Sequence, residues 1–171
     1  KNLTMSVLVQ DVLNNSQDMF YFNMAVGLSV QEVLKSYDVS NTSIKWPNDI
    51  MSGKNKLGGI LIENLIKQDG TISSIIGIGL NVNQTNFDGL PNATSVFNVL
   101  GTTLDLDDLM LKIVVKIQYY SQNLFHQKRE ILDKYHQNLF RIGIPSAFED
   151  QSGNRFMAII KNVSTDGKLI I

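Results

Sequence analysis

The sequence predicts an α/β fold in the broad sense, a mixed β-sheet backed by helices. Three observations carry this reading. Apolar, β-branched stretches with strand character occur at residues 3–9, 43–46, 57–66 and 71–82. Two longer stretches, 19–37 and 105–124, instead repeat apolar residues every three or four positions. Turn-forming residues separate the strand-like pieces. With 171 residues, 43% hydrophobic and 18% charged, the chain has material for a real core and the composition of a folded protein.

Taken in order, Leu3 to Val9 alternates and reads as a strand. Residues 19–37 read as a helix whose stripe is Phe22, Val26, Val30, Val33, Leu34 and Tyr37, with Gly27 and Ser29 small enough for close packing on a sheet. Ser43 to Trp46 is a short strand. Pro47 ends it, Asn48-Asp49 forms a turn, and Ser52-Gly53-Lys54-Asn55 forms a second. Leu57 to Ile66 and Thr71 to Val82 are strands joined at Asp69-Gly70. Residues 84–92 are a loop, and one or two helical turns follow at 94–100. Asp105 caps a helix whose first turn carries Asp107 and Asp108, acids that suit its positive end. A second helix is expected over about 128–140. After Gly143 and Pro145 come three short strand-like pieces with turns at Gly153-Asn154 and Asp166-Gly167. The expected division is a core over 1–142 and the start of a small β domain over 143–171.

Composition excludes several classes. A net charge of −1 argues against a dedicated nucleic-acid surface. The chain has no Cys, so it has no disulfide and no thiolate metal site, and its two His, at 126 and 136, lie in helical sequence and make a poor metal pair. No apolar run approaches the roughly 20 residues of a membrane span. A cytoplasmic protein is expected. The chain starts at Lys1 and ends at Ile171 inside strand-like patterns, which reads as a piece of a longer protein.

The most informative stretch is Lys45-Trp46-Pro47-Asn48-Asp49, followed by Lys56-Leu57-Gly58-Gly59-Ile60-Leu61-Ile62-Glu63. It gathers the single Trp, a polar pair, a Gly-Gly step and a lysine between two strands. Loops held on a rigid sheet are common sites of chemistry. If the strand alternates, Lys45 and Trp46 point to opposite faces. Lys45, in an apolar strand, suits either phosphate contact or a snorkelling surface role. Lys56 opens a strand, where its direction is fixed. Gly58, Gly59, Gly77 and Gly79 allow close approach of a backbone to a ligand. No Walker loop and no Rossmann fingerprint is present.

These two blocks, with Gly77-Ile78-Gly79-Leu80-Asn81-Val82-Asn83, resemble the core signature of the biotin–protein ligases, in order and spacing. The resemblance covers most of the chain and weakens after residue 100. It implies a core similar to class II tRNA synthetases, followed by a truncated SH3-like domain. The implied function is ATP-dependent ligation of biotin, through biotinyl-adenylate, to a lysine of a biotin carboxyl carrier protein. ATP and Mg²⁺ are the implied cofactors, and a homodimer is compatible. Lys56 matches the family lysine between the biotin carboxylate and the adenylate phosphate, with Lys45 as a second catalytic cation. Trp46, Asn48, Asp49, Lys56, Gly58 and Gly59 are the implied substrate contacts. Asn48, Gly79, Asn81 and Ala93 are the implied nucleotide contacts. The family's arginine- and glycine-rich loop, which precedes the first strand here, has no counterpart in this sequence, so the isolated chain is expected to fold but to bind biotin poorly.

Two other readings share these features. A lipoate or octanoate ligase has the same fold, although Trp-Pro-Asn-Asp with Lys-Leu-Gly-Gly favours biotin. A non-catalytic ligand-binding or dimerisation module is the reading from a different class.

Overall fold

The computed structural model describes residues 1–171. Five strands form one sheet: β1 (Leu3–Leu13), β2 (Thr42–Lys45), β3 (Asp49–Ser52), β4 (Asn55–Ile66) and β5 (Ile72–Leu80). Their order is β1-β5-β4-β3-β2. Three of the four pairings join strands consecutive in sequence through short turns, a connection only antiparallel strands permit. All four pairings are antiparallel. The expected mixed sheet is therefore antiparallel among its named strands, and parallel pairing is confined to isolated bridges, including Ile44–Leu139 and Lys56–Ala93. Strand β3 was not expected, because Asp49 to Ser52 reads locally as turn residues between two breakers; Ile50 and Met51 are buried and make it a strand.

Helix α1 (Met19–Ser36) and helix α3 (Leu106–Gln137) back the sheet, and α2 (Val96–Leu100) is a single short piece. Sandwiched between sheet and α3, α1 buries residues on most of its circumference, among them Phe22, Met24, Leu28, Val30 and Leu34. Each such side chain contributes roughly 1.5–3 kcal/mol of burial. Gln31 is buried too, and its Nε2 donates to the Thr42 carbonyl at 3.1 Å and to Asn138 Oδ1 at 2.8 Å. Asp105 caps α3, accepting from the amides of Asp107 and Asp108. The two helices expected over 105–140 are one. Neither Gly nor Pro interrupts residues 105–142, and the buried stripe Leu109, Ile113, Ile117, Tyr120, Leu124, Ile131, Tyr135 runs on without a break.

Beyond α3, β6 (Pro145–Glu149) pairs with β7 (Arg155–Ile159), and β8 (Asn162–Val163) pairs with β9 (Leu169–Ile170). These are four short strands in two hairpins rather than three pieces. Ile160 and Val163 belong to the same buried cluster as the sheet and helices. The turn before β9 lies against Trp46, whose Nε1 donates to the Gly167 carbonyl at 3.0 Å.

Candidate active site

Directly opposed residues of an antiparallel sheet share a face. The registers therefore define one row across all five strands: Lys45 on β2, Asp49 on β3, Gly59 on β4, Gly79 on β5 and Thr4 on β1. The next row contains Leu61, Gly77 and Ser6. These rows lie on the face away from the helices, and their glycines leave no side chain over the middle of the sheet. The result is a groove of about 400 Å³ floored by Gly59, Gly77 and Gly79, with Thr4 and Ser6 at one side and Asp49 and Lys56 at the other.

Lys56 reaches this face through an irregularity. Met51 opposes Lys56 but Ile50 opposes Gly58, so Leu57 is an extra residue on β4. Without it, Lys56 and Gly59 would point to opposite faces. A bulge of this kind re-aims a side chain. A side chain at Gly59 would meet Lys56 Nζ and Asp49 Oδ1, both 3.6 Å away. Lys56 Nζ itself pairs with Asp49 Oδ1 at 2.5 Å, with Lys56 about half exposed. Gly58, at the same irregularity, has no room for a Cβ, which would fall on the Gly79 carbonyl.

On the other side of the Asp49–Lys56 pair lies a basin of about 510 Å³ lined by Lys45, Lys54, Lys56, Arg141 and the loop Gly89 to Ala93. Two parallel bridges build it. The Lys56 amide donates to the Asn92 carbonyl at 2.7 Å, and the Thr94 amide donates to the Lys56 carbonyl at 2.9 Å, which ties the loop to β4. The Ile44 amide donates to the Asn138 carbonyl and the Phe140 amide to the Ile44 carbonyl, both at 2.8 Å, which ties the end of α3 to β2 beside Lys45.

The expected site residues thus divide. Lys45, Asp49, Lys56, Gly59, Gly79 and Ala93 line the groove or the basin, with Asp49 and Lys56 shared by both. Asn48 lines the groove, and its Nδ2 donates to the Ile60 carbonyl at 2.7 Å, so part of its polarity holds the turn to β4. Asn81 lines neither: its Nδ2 donates to the Thr94 carbonyl at 3.1 Å and its carbonyl accepts from the Val96 amide, so it fixes the segment that carries Ala93. Trp46 turns to the helix side. There it lines a niche of about 180 Å³ with Phe20, Ile44, Ile60 and Tyr135, which adjoins the groove at Asn48, Ile60 and Leu61. Tyr135 Oη and Asn23 Oδ1, both of residues lining that niche, are buried without a hydrogen-bond partner. Arg141 was not anticipated. Nothing in its local sequence marks it; only the Ile44–Leu139 bridge brings it to Lys45.

Residues 1–83 match the Biotin/lipoate A/B protein ligase family. The chain is 25% identical, over 99% of its length and 62% of the relative's, to the biotin–[acetyl-CoA-carboxylase] ligase of Mycobacterium tuberculosis. It is 29% identical, over 62% of its length and 33% of the relative's, to the bifunctional ligase/repressor BirA of Salmonella typhimurium. The chain thus spans less than two thirds of these relatives. Among solved structures, the biotin protein ligase of Aquifex aeolicus superposes with a TM-score of 0.82 at 24% identity, covering 99% of this chain and 74% of that one. The same ligase in complex with biotin and ATP gives a TM-score of 0.80 at 24% identity, with coverages of 99% and 71%. The likeness extends through the antiparallel sheet, the helices and the terminal hairpins.

Proposed function

We propose that the chain belongs to the biotin–protein ligase family and that the protein it represents joins biotin to ATP and passes the biotinyl group to a lysine of a carboxyl carrier protein. One observation carries this reading: Lys56 lies where a groove with an uncharged glycine floor meets a cationic basin. A molecule with a neutral body and one carboxylate suits the groove, a nucleoside triphosphate suits the basin, and their reacting ends would meet at Lys56.

In the first step a biotin carboxylate oxygen attacks the α-phosphorus, the α–β phosphoanhydride bond breaks, and pyrophosphate departs with the electron pair. Two anions must approach, and negative charge builds at the α-phosphate. A fixed ammonium with three donors at the meeting point stabilises that charge more than the separated reactants. Lys45 offers a second cation to the phosphates. In the next step the acceptor amine attacks the acyl carbon, AMP leaves, and the amine loses a proton.

Magnesium fits as an ion carried by ATP. The site provides one carboxylate, Asp49, beside the amide of Asn48, and no group of three acidic, His or Cys side chains gathers to hold a resident metal. Mg²⁺ characteristically takes one or two carboxylates together with substrate phosphates and waters. Gly58 and the bulge set the direction of Lys56, and Asn81 acts on the nucleotide by holding Ala93. The division into a catalytic core over 1–142 and a small SH3-like domain from 143 belongs to the same reading, as does a cytoplasmic setting; no helix of the chain is long and apolar enough to cross a membrane.

The test is pyrophosphate release by the full-length protein with Mg²⁺–ATP and either biotin, lipoate or octanoate. Release with biotin alone is expected. Release with lipoate or octanoate in preference would replace this reading by the ligase for those acids, and none with any acid would leave a ligand-binding module.

A further inference from the structure

Four cations line the basin beside the Asp49–Lys56 pair, and Asp49 is its one carboxylate. Asp49 is already paired with Lys56. Lys45, Lys54 and Arg141 form no ion pair with any carboxylate of the chain, although most of its other lysines do. Three unneutralised charges therefore surround one concavity. Their mutual repulsion is relieved by an anion that carries several charges in a small volume.

The backbone around the cations is held in place. Lys45 follows directly on Ile44, the residue locked to the end of α3 by two 2.8 Å hydrogen bonds. Arg141 follows directly on Phe140, the partner in one of those bonds. Arg141 also adopts a left-handed backbone conformation, φ 56°, which is uncommon for a side-chain-bearing residue. Its Nη2 donates to the Pro145 carbonyl at 3.1 Å, so one edge of the guanidinium is anchored and its other donors remain for a ligand. A planar cation held this way is suited to paired phosphate oxygens.

We propose that Arg141, with Lys45 and Lys54, holds the β- and γ-phosphates of ATP and then the departing pyrophosphate, as positioning residues for the leaving group. The inference rests on the ligase reading and extends it to a residue outside the signature blocks. It assigns the α-phosphate to Lys56 and the two outer phosphates to the basin. Binding of the leaving group before the bond breaks aligns it for in-line departure.

Calorimetric titration of the 171-residue chain with inorganic pyrophosphate, and separately with AMP, tests this. Arg141→Gln is the variant of choice, because its amide keeps a donor for the Pro145 carbonyl. Losing one charged hydrogen-bonded contact should weaken pyrophosphate binding about tenfold. AMP binding should be unchanged, since AMP lacks both outer phosphates. Arg141→Lys should fall between. Thermal melting of each variant establishes that the fold is retained. In the full-length ligase, the same Gln variant should raise the pyrophosphate concentration needed for product inhibition by a similar factor. Equal pyrophosphate affinity in wild type and Arg141→Gln, equal loss for AMP and pyrophosphate, or no binding of pyrophosphate to the wild type would each overturn the proposal. Failure to release pyrophosphate from biotin and ATP is a separate result, and it strikes the ligase reading instead.

Discussion

Lys56 Nζ and Asp49 Oδ1 stand 2.5 Å apart on adjacent strands, and the bulge at Leu57 turns Lys56 onto the face where they meet. The pair is half exposed on the lysine side, so it contributes at most about 1 kcal/mol to stability. It is therefore cheap to open. Its consequence is positional: Asp49 keeps the ammonium at the seam between groove and basin, and on the proposed function a ligand carboxylate or phosphate takes its place.

The first prediction follows from that exchange. Lys56→Ala should slow biotin-dependent pyrophosphate release by about 10²-fold or more, the usual effect of removing a donor aimed at developing charge. Asp49→Asn should separate two roles. It frees Lys56, so metal-free pyrophosphate should bind more tightly. It also removes the one carboxylate of the basin, which on the proposed reading receives Mg²⁺–ATP, so the adenylation rate should fall. A Lys56→Ala enzyme with a near-normal rate would take Lys56 out of the mechanism, and parallel changes in both Asp49→Asn measurements would mean that the carboxylate acts only through the lysine.

Two glycines of the site should fail in different ways. At Gly58 an added methyl collides with the Gly79 carbonyl, which is backbone and cannot swing aside. Gly58→Ala should therefore lower stability by about 1–3 kcal/mol, as overpacking does, and disturb the bulge that aims Lys56. At Gly79 nothing lies within 4 Å of an added Cβ. Gly79→Ala should melt like the parent yet raise the biotin KM, because the methyl stands on the groove floor. Thermal melts and biotin titration of rate, run on both variants, give the comparison. A stability loss for Gly79→Ala or an unchanged KM would remove that glycine from the ligand surface.

Much of this architecture is legible in the sequence, and the exceptions have physical reasons. The strand at 3–9 and the helix at 19–37 follow from period, and the strands at 57–66 and 71–82 from apolar, β-branched runs joined at the Asp69-Gly70 turn. Strand β3 does not, because its four residues lie between Pro47 and Gly53 and only pairing on both sides makes them a strand. The unity of α3 was available in the absence of any breaker between 105 and 142, but the expected stripe ends at Leu124 and its next buried residue is Ile131, two turns further on. The signature blocks contain Lys45, Asp49, Lys56, Gly59 and Gly79, which the fold brings to the groove or the basin, yet the bulge that unites Lys56 with Gly59 depends on register, which no single strand encodes. The part of Asn81 in holding Ala93 and the presence of Arg141 in the basin both depend on contacts between segments distant in sequence.

The helices carry a testable charge cluster. Glu32 of α1 accepts from Tyr120 Oη at 2.7 Å and pairs with Lys116 at 2.8 Å and Lys134 at 3.6 Å, all on α3. Burial alone would raise its pKa, but the Lys116 and Tyr120 hydrogen bonds and the two lysine charges outweigh it, so the carboxyl is held below its ordinary value. A depressed folded-state pKa gives stability that is present above the unfolded value and is lost as pH falls through the folded one. Glu32→Gln should thus be less stable than wild type at neutral pH, by about 1–2 kcal/mol. The gap should shrink once the pH drops below the normal carboxylate range. Urea unfolding of both proteins across acid and neutral pH provides the measurement, and a gap independent of pH would assign the loss to packing.

The last prediction concerns the turn that precedes β9. Gly167 has φ +86°, and a Cβ there would lie 2.9 Å from Phe20 Cδ2. Both features disfavour a side chain, by about 1–3 kcal/mol for the backbone conformation alone. The Gly167 carbonyl also accepts from the indole of Trp46, the only tryptophan in the chain. Gly167→Val should lift the turn from Phe20, break that hydrogen bond and expose the indole. Intrinsic fluorescence reports this directly, since its tryptophan signal comes from one residue, and the emission should shift to the red. The sheet and both long helices have their own buried core, so far-ultraviolet circular dichroism should change little. The groove lies on the opposite face of the sheet from the Trp46 indole, so on the proposed function the biotin KM of the full-length protein should move less than the emission does. An unchanged spectrum would mean that the turn adapts in place, and that Trp46 is held by its apolar neighbours Phe20, Ile44 and Ile60 instead of by Gly167.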